Sequence, residues 1–289
     1  MRVDRSRRRL LLAAGVLAFD AVATPPVIER GSFRTSDGVR LSYLHGGRHA
    51  ARPIVFVPGW CLPADVWRRQ LEFFADTYAV YALDPRGQGE SDVPAAGYDV
   101  DRRAADLHEC LAQLPRPAVV VAWSLAGLES LQLVYRYGTR RIAALVLVDS
   151  SVGEGPAVRG NGVDSFRRRL LEDRGAALRE FAKAIYRSPP SEAEVERLVE
   201  AMLRMPLDAS LDLLDYGWPR EHWRAVARGL NRPLLYAYTP QYATQAKLLK
   251  AARPATVLSR FDEAGHALFA DAPERFEREL SGFIAAIRR

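Results

Sequence analysis

The sequence predicts an α/β fold: a mainly parallel sheet of about eight strands flanked by helices, with a helical cap inserted after strand six. Short runs such as residues 118–121 and 143–148 are apolar throughout and rich in β-branched side chains, as in strands buried on both faces. These runs alternate with stretches of helix length across short loops, which implies parallel strands joined by covering helices. The alternation then fails between residues 152 and 231, where no convincing core strand occurs over far more chain than a connection needs. With 289 residues, 48% of them hydrophobic, the chain can bury a substantial core. Three segments follow: core at 24–151, cap at 152–231 and core again at 232–289.

The first 23 residues stand apart. Ser6-Arg7-Arg8-Arg9 precedes a modestly apolar stretch reaching Phe19, and Ala21-Val22-Ala23 is a small-x-small cleavage pattern. This resembles a bacterial twin-arginine signal and implies export to the periplasm or beyond, with a mature chain starting near Thr24. The apolar run is short and meets Asp20, so a permanent membrane anchor is not expected. Five arginines against two aspartates in the first 20 residues carry half of the formal charge of +6. No basic stripe with interleaved aromatics occurs elsewhere, so nucleic acid is not an expected partner. Cys61 and Cys110 imply no disulfide framework, although one pairing stays open.

In chain order, residues 32–35 and 39–44 flank Ser36-Asp37-Gly38 as a hairpin. A buried strand at 54–57 ends in Pro58-Gly59-Trp60. A helix over 65–77 and a strand over 79–83 lead to Asp84-Pro85-Arg86-Gly87-Gln88-Gly89-Glu90-Ser91-Asp92, whose glycines permit turns and whose charges pair locally. A phosphate loop is excluded there, because neither Gly-Lys-Ser/Thr nor Gly-x-Gly-x-x-Gly is present. A helix over 101–114 precedes the stretch 118–127, AVVVAWSLAG, in which a buried strand stops at Ser124 and a helix over 125–137 begins. Strand, sharp turn and helix would lift the serine hydroxyl out of the sheet and aim a helix N-terminus at it, and small neighbours leave room for the turn.

Beyond the strand at 143–148, the insertion has helical periodicity over 165–186, 192–205 and 207–214, broken by Pro189-Pro190 and Pro206. Phe166, Phe181, Tyr216, Trp218 and Trp223 are candidates for a pocket lining or for the cap's own core. A strand at 233–238, a helix at 241–252, a strand at 256–261 and a helix at 273–287 close the fold, with Ala264-Gly265-His266 in the last loop.

Ala122-Trp123-Ser124-Leu125-Ala126-Gly127 resembles the Gly-x-Ser-x-Gly elbow of the α/β-hydrolases, with alanine at both signature glycines and a glycine displaced by one. Pro58-Gly59-Trp60, Asp84 to Asp92 and Ala264-Gly265-His266 resemble further stretches of that family, so the resemblance spans nearly the whole proposed mature chain. It implies Ser124 as nucleophile, His266 as base, and the Trp60 and Leu125 backbone N–H groups as an oxyanion hole. The family's usual acid after the seventh strand is missing from Tyr238-Thr239-Pro240-Gln241-Tyr242. A variant of the fold carries it after the sixth strand, where Asp149 lies; a dyad, or Asp215 of the insertion, are the alternatives. Asp262 and Glu263 lie too close in sequence to His266 to orient it.

The expected activity is hydrolysis of small to medium, fairly apolar esters or lactones through an acyl-enzyme, with neither metal nor organic cofactor. Haloalkane chemistry is disfavoured because it needs a carboxylate nucleophile. Some family members are cofactor-free haloperoxidases that would use the same residues. A catalytically silent ligand-binding fold is the rival expectation.

Overall fold

The computed structural model describes residues 26–156, 162–188 and 190–287; the expected signal segment lies outside them. The core opens with β1 (Ile28–Arg34), β2 (Arg40–Gly47) and β3 (Pro53–Val57), continues through α1 (Arg68–Ala75), β4 (Ala79–Asp84), α2 (Val100–Ala112), β5 (Ala118–Trp123) and α3 (Leu125–Tyr137), and reaches β6 (Ile142–Val148). Four helices follow: α4 (Gly162–Glu172), α5 (Arg174–Ala184), α6 (Glu192–Leu203) and α7 (Leu207–Asp212). The chain then returns to the core with α8 (Arg220–Gly229), β7 (Leu234–Tyr238), α9 (Ala243–Ala252), β8 (Val257–Arg260), α10 (Leu268–Asp271) and α11 (Pro273–Ile287).

The eight strands form one sheet in the order β1-β2-β4-β3-β5-β6-β7-β8. The β1–β2 and β2–β4 ladders are antiparallel, and the remaining ladders are parallel. Every residue of β3, β5 and β7 is buried, because helices cover both faces of the sheet and leave no solvent side for polar alternation. Leu71 and Phe74 of α1 and Phe276 and Leu280 of α11 pack on one face, while α2, α3, α8 and α9 pack on the other.

The insertion departs from its expected outline in two places. The helix expected over 165–186 is two helices, because the Asp173 carboxylate caps α5 by accepting from the Ala176 amide at 3.0 Å. The segment expected as cap over 152–231 also divides by where it packs. Helices α4 to α7 bury their apolar residues in one cluster with Trp60 and Leu125, whereas Trp223 and Ala227 of α8 are buried with α3 and α9 against the sheet. The hydrophobic stripe of an amphipathic helix does not name the surface that it covers, so this division was not visible in the periodicity. No helix among the described residues is long and apolar enough to cross a membrane.

Candidate active site

The candidate residues gather at the carboxyl ends of the parallel strands, where a doubly covered sheet leaves its crevice. Ser124 follows β5 directly, in the turn into α3, with φ 57° and ψ −120°. A non-glycine residue there carries about 1–3 kcal/mol of strain. The strain is held from two sides: the Ser124 amide donates to the Val148 carbonyl at 2.9 Å, and the Gly127 amide donates back to the Ser124 carbonyl at 3.0 Å.

The departures from the glycine pattern have spatial causes. Ala122 and Ala126 are fully buried and their methyls fit. Glycine is needed instead at position 127, where a Cβ would come within 2.6 Å of the Ser150 Cβ. Position 59 is tight as well, since a Cβ there would stand 3.1 Å from that of Ser124.

The His266 Nε2 lies 2.8 Å from the Ser124 Oγ, and its Nδ1 lies 2.7 Å from the Asp149 Oδ2. A carboxylate only accepts, so the ring proton resides on Nδ1 and Nε2 is left to accept from the serine hydroxyl. Asp149 follows β6 in a left-handed conformation, φ 44°, which aspartate tolerates better than most residues. Its side chain is fully buried, and donors replace the lost water: the Thr239 amide and hydroxyl reach Oδ1 at 2.7 and 2.8 Å, and the Gln241 amide reaches Oδ2 at 2.6 Å. Thus the loop after β7, which lacks an acid, supplies the donors for an acid one strand away. Asp215 accepts instead from the Gly217 amide, and Asp262 pairs with Arg260 at 2.6 Å.

The histidine loop is braced by the cap. The Ala267 amide donates to the Ile185 carbonyl at 2.7 Å, and the Asp271 carboxylate accepts from the amides of both Gly265 and Arg187. A Cβ on Gly265 would meet the Tyr186 carbonyl carbon and the Arg187 nitrogen, both at 2.6 Å, so this glycine is set by close approach of two backbones.

Leu125 is the first residue of α3, so its amide has no acceptor within the helix and adds to the positive end of the helix dipole. The Gln88 side chain donates to the Gly59 carbonyl at 3.0 Å and the Leu62 carbonyl at 2.6 Å. In a trans peptide the carbonyl and the next N–H point oppositely, so anchoring the Gly59 carbonyl fixes where the Trp60 amide points. The charges of the loop at 84–92, expected to pair locally, pair instead with residues distant in sequence. Arg86 is buried in a bidentate pair with Asp106 at 2.6 and 2.7 Å, and Asp84 accepts from the Ala64 amide at 2.6 Å.

A cavity of about 590 Å³ opens above Ser124, with Trp60, Leu125, Phe166, Phe181, Tyr216 and Gln241 among its walls. The Trp60 ring stands edge-on to Phe166 and Phe181 at 5.1 and 5.4 Å. Of the five aromatic candidates, then, Phe166, Phe181 and Tyr216 line the cavity. Trp218 stacks on His222, and Trp223 is buried in the core. Both cysteines are buried free thiols. Among the described residues no group of three or more His, Cys, Asp or Glu side chains is gathered as a metal site.

Residues 54–279 match the family described as the Alpha/beta hydrolase family. A non-heme chloroperoxidase of Streptomyces lividans is 40% identical over 122 residues, which are 42% of this chain and 44% of that protein. The chain therefore spans less than half the length of that relative. A pimeloyl-[acyl-carrier protein] methyl ester esterase of Serratia marcescens is 27% identical over 247 residues, 81% of this chain and 94% of that one. Among solved structures, an esterase from Rhodococcus sp. ECU1013 superposes with a TM-score of 0.78 at 25% identity, covering 89% of this chain and 99% of its own. A bromoperoxidase from Bacillus anthracis superposes with a TM-score of 0.80 at 22% identity, over 89% of this chain and all of its own, and shows the fold alone. The chain belongs to the alpha/beta hydrolase family.

Proposed function

We propose that the protein is a serine hydrolase that cleaves small to medium, fairly apolar carboxylic esters or lactones through an acyl-enzyme. The observation that carries this reading is the hydrogen-bonded series Ser124–His266–Asp149, whose serine opens on a cavity with mostly apolar and aromatic walls. In the proposed reaction the Ser124 Oγ attacks the carbonyl carbon while its proton passes to the His266 Nε2. The amides of Trp60 and Leu125 receive the oxyanion, a contribution of about 10²–10³ in rate for each such donor. His266 then returns the proton to the departing alcohol, and water releases the acyl group by the same steps in reverse.

The esterase relatives support the ester-cleaving reading, and the chloroperoxidase relative favours a second acceptor at the same site. Hydrogen peroxide in place of water would release a peracid from the same acyl-enzyme. Export through a twin-arginine signal is part of the proposal, and replacing Arg7 and Arg8 by lysine should retain the protein in the cytoplasm.

The test is fluorophosphonate labelling followed by peptide mass spectrometry. Modification confined to Ser124 and abolished in Ser124→Ala supports the reading. A folded protein that resists the reagent would instead favour a silent ligand-binding fold.

A further inference from the structure

Asp149 poses a problem that its neighbours solve. A carboxylate with no exposure to solvent loses its hydration, and no lysine or arginine lies within ion-pair distance of it among the described residues. Four hydrogen bonds fill its oxygens, two on each. Thr239 takes Oδ1 entirely, through a backbone amide and a hydroxyl on the same residue. Oδ2 is shared between His266 and the Gln241 amide, at 2.7 and 2.6 Å. Gln241 also lines the cavity and is exposed there, whereas Asp149 behind it is buried. The Gln241 side chain therefore links the cavity wall to the carboxylate.

We infer that Gln241 is a positioning residue of the proposed reaction, which orients the Asp149 carboxylate, shields it from the cavity and tempers the pull of its Oδ2 on the His266 ring. The inference rests on the serine hydrolase reading. Gln241 draws charge from the same oxygen that His266 contacts. With this donor gone, the oxygen keeps more of its charge for the ring and attracts an imidazolium more strongly. The change moves the acidic limb of activity to higher pH.

Two phenols also feel the Asp149 charge, those of Tyr236 on β7 and Tyr242 in the turn after it. Burial, ahead of the nearby charges, raises both, so both stay neutral across the working range. Asp271, the carboxylate bound to the Gly265 amide, is retained in every variant below.

The experiment measures the rate of fluorophosphonate labelling from pH 4.5 to 9 for the wild type, Gln241→Met and Gln241→Asn. Methionine keeps the length of the wall without a donor, and asparagine draws the amide back by one methylene, out of reach of Oδ2. In both variants the acidic limb should move upward by about 0.5–1 pH unit, and the rate at the alkaline plateau should fall because the carboxylate is held less firmly. Limbs within about 0.2 unit of wild type, with only the ester KM altered, would make Gln241 a pocket residue and overturn the inference alone. Absence of labelling in the folded wild type would overturn the hydrolase reading and this inference with it. Urea midpoints of the variants guard against a shift caused by partial unfolding.

Discussion

Asp149→Asn separates a geometric role for the acid from an electrostatic one. The Thr239 amide is a fixed donor facing Oδ1, so the asparagine oxygen must stay on that side. Its NH₂ group then occupies the place of Oδ2, where it meets the Gln241 amide and the His266 Nδ1. Gln241 can rotate to present its oxygen, but the imidazole can answer only by accepting at Nδ1. The ring proton moves to Nε2, which then points an N–H at the Ser124 Oγ and cannot take its proton. Loss of the correct tautomer and of the charge opposite the imidazolium should lower the labelling rate about 10³–10⁴-fold, or about 4–5.5 kcal/mol at 1.36 kcal/mol per decade. Asparagine keeps the bonds from Thr239, so stability should fall by only about 1–2 kcal/mol. The assay is the pseudo-first-order rate of Ser124 modification, with hydrolysis of a p-nitrophenyl ester alongside and a urea titration to show that the variant is folded. A folded variant that labels within about tenfold of wild type would remove Asp149 from the mechanism.

Gly265→Ala places a methyl against the backbone of Tyr186 and Arg187, which cannot yield as a flexible side chain would. Ester turnover should fall more than about tenfold and the urea midpoint should drop by the equivalent of about 1–3 kcal/mol; unchanged values would show that the loop and α5 can separate freely. Gly127→Ala should destabilise by a similar amount through the Ser150 Cβ, and Ser150→Gly in the same chain should recover most of the loss in a double-mutant cycle. Cys61 and Cys110 should not react with a thiol reagent at pH 8 in the folded protein, and both should react in denaturant. Burial raises both thiols, that of Cys110 to about 12, and leaves almost no thiolate; one fast-reacting thiol in the native protein would contradict this placement.

The buried parallel strands were the most legible part of the fold, because strands covered on both faces read as unbroken apolar runs with sharp ends. The edge strand β8 shows the limit of that signal. Its Val257 is exposed, and the strand occupies only Val257–Arg260 of the expected 256–261. The insertion was legible as helices but not as two packing units. Phe166 and Trp223 both have the spacing of a buried helical face, and only tertiary contact separates a cavity wall from a core residue.

Within the site, Ser124 could be named from the buried strand that stops at it, and His266 and Asp149 from the resemblance of the stretches around them to the α/β-hydrolases. Gln88, Thr239 and Gln241 were missed, since a hydrogen bond between loops leaves no period in either. One signal for the last two did exist. Tyr238-Thr239-Pro240-Gln241 lacks an acid after β7 yet keeps hydrogen-bonding side chains there, and β6 and β7 are adjacent and parallel. Parallel pairing brings the ends of neighbouring strands together: the Asp149 amide donates to Ala237 at 2.8 Å, and Thr239 lies within reach of the Asp149 side chain. An acid moved from one strand end to the next therefore stays beside the loop it left. With no carboxylate of its own to place, that loop is free to donate, and its donors hold the Asp149 charge beside the His266 Nδ1.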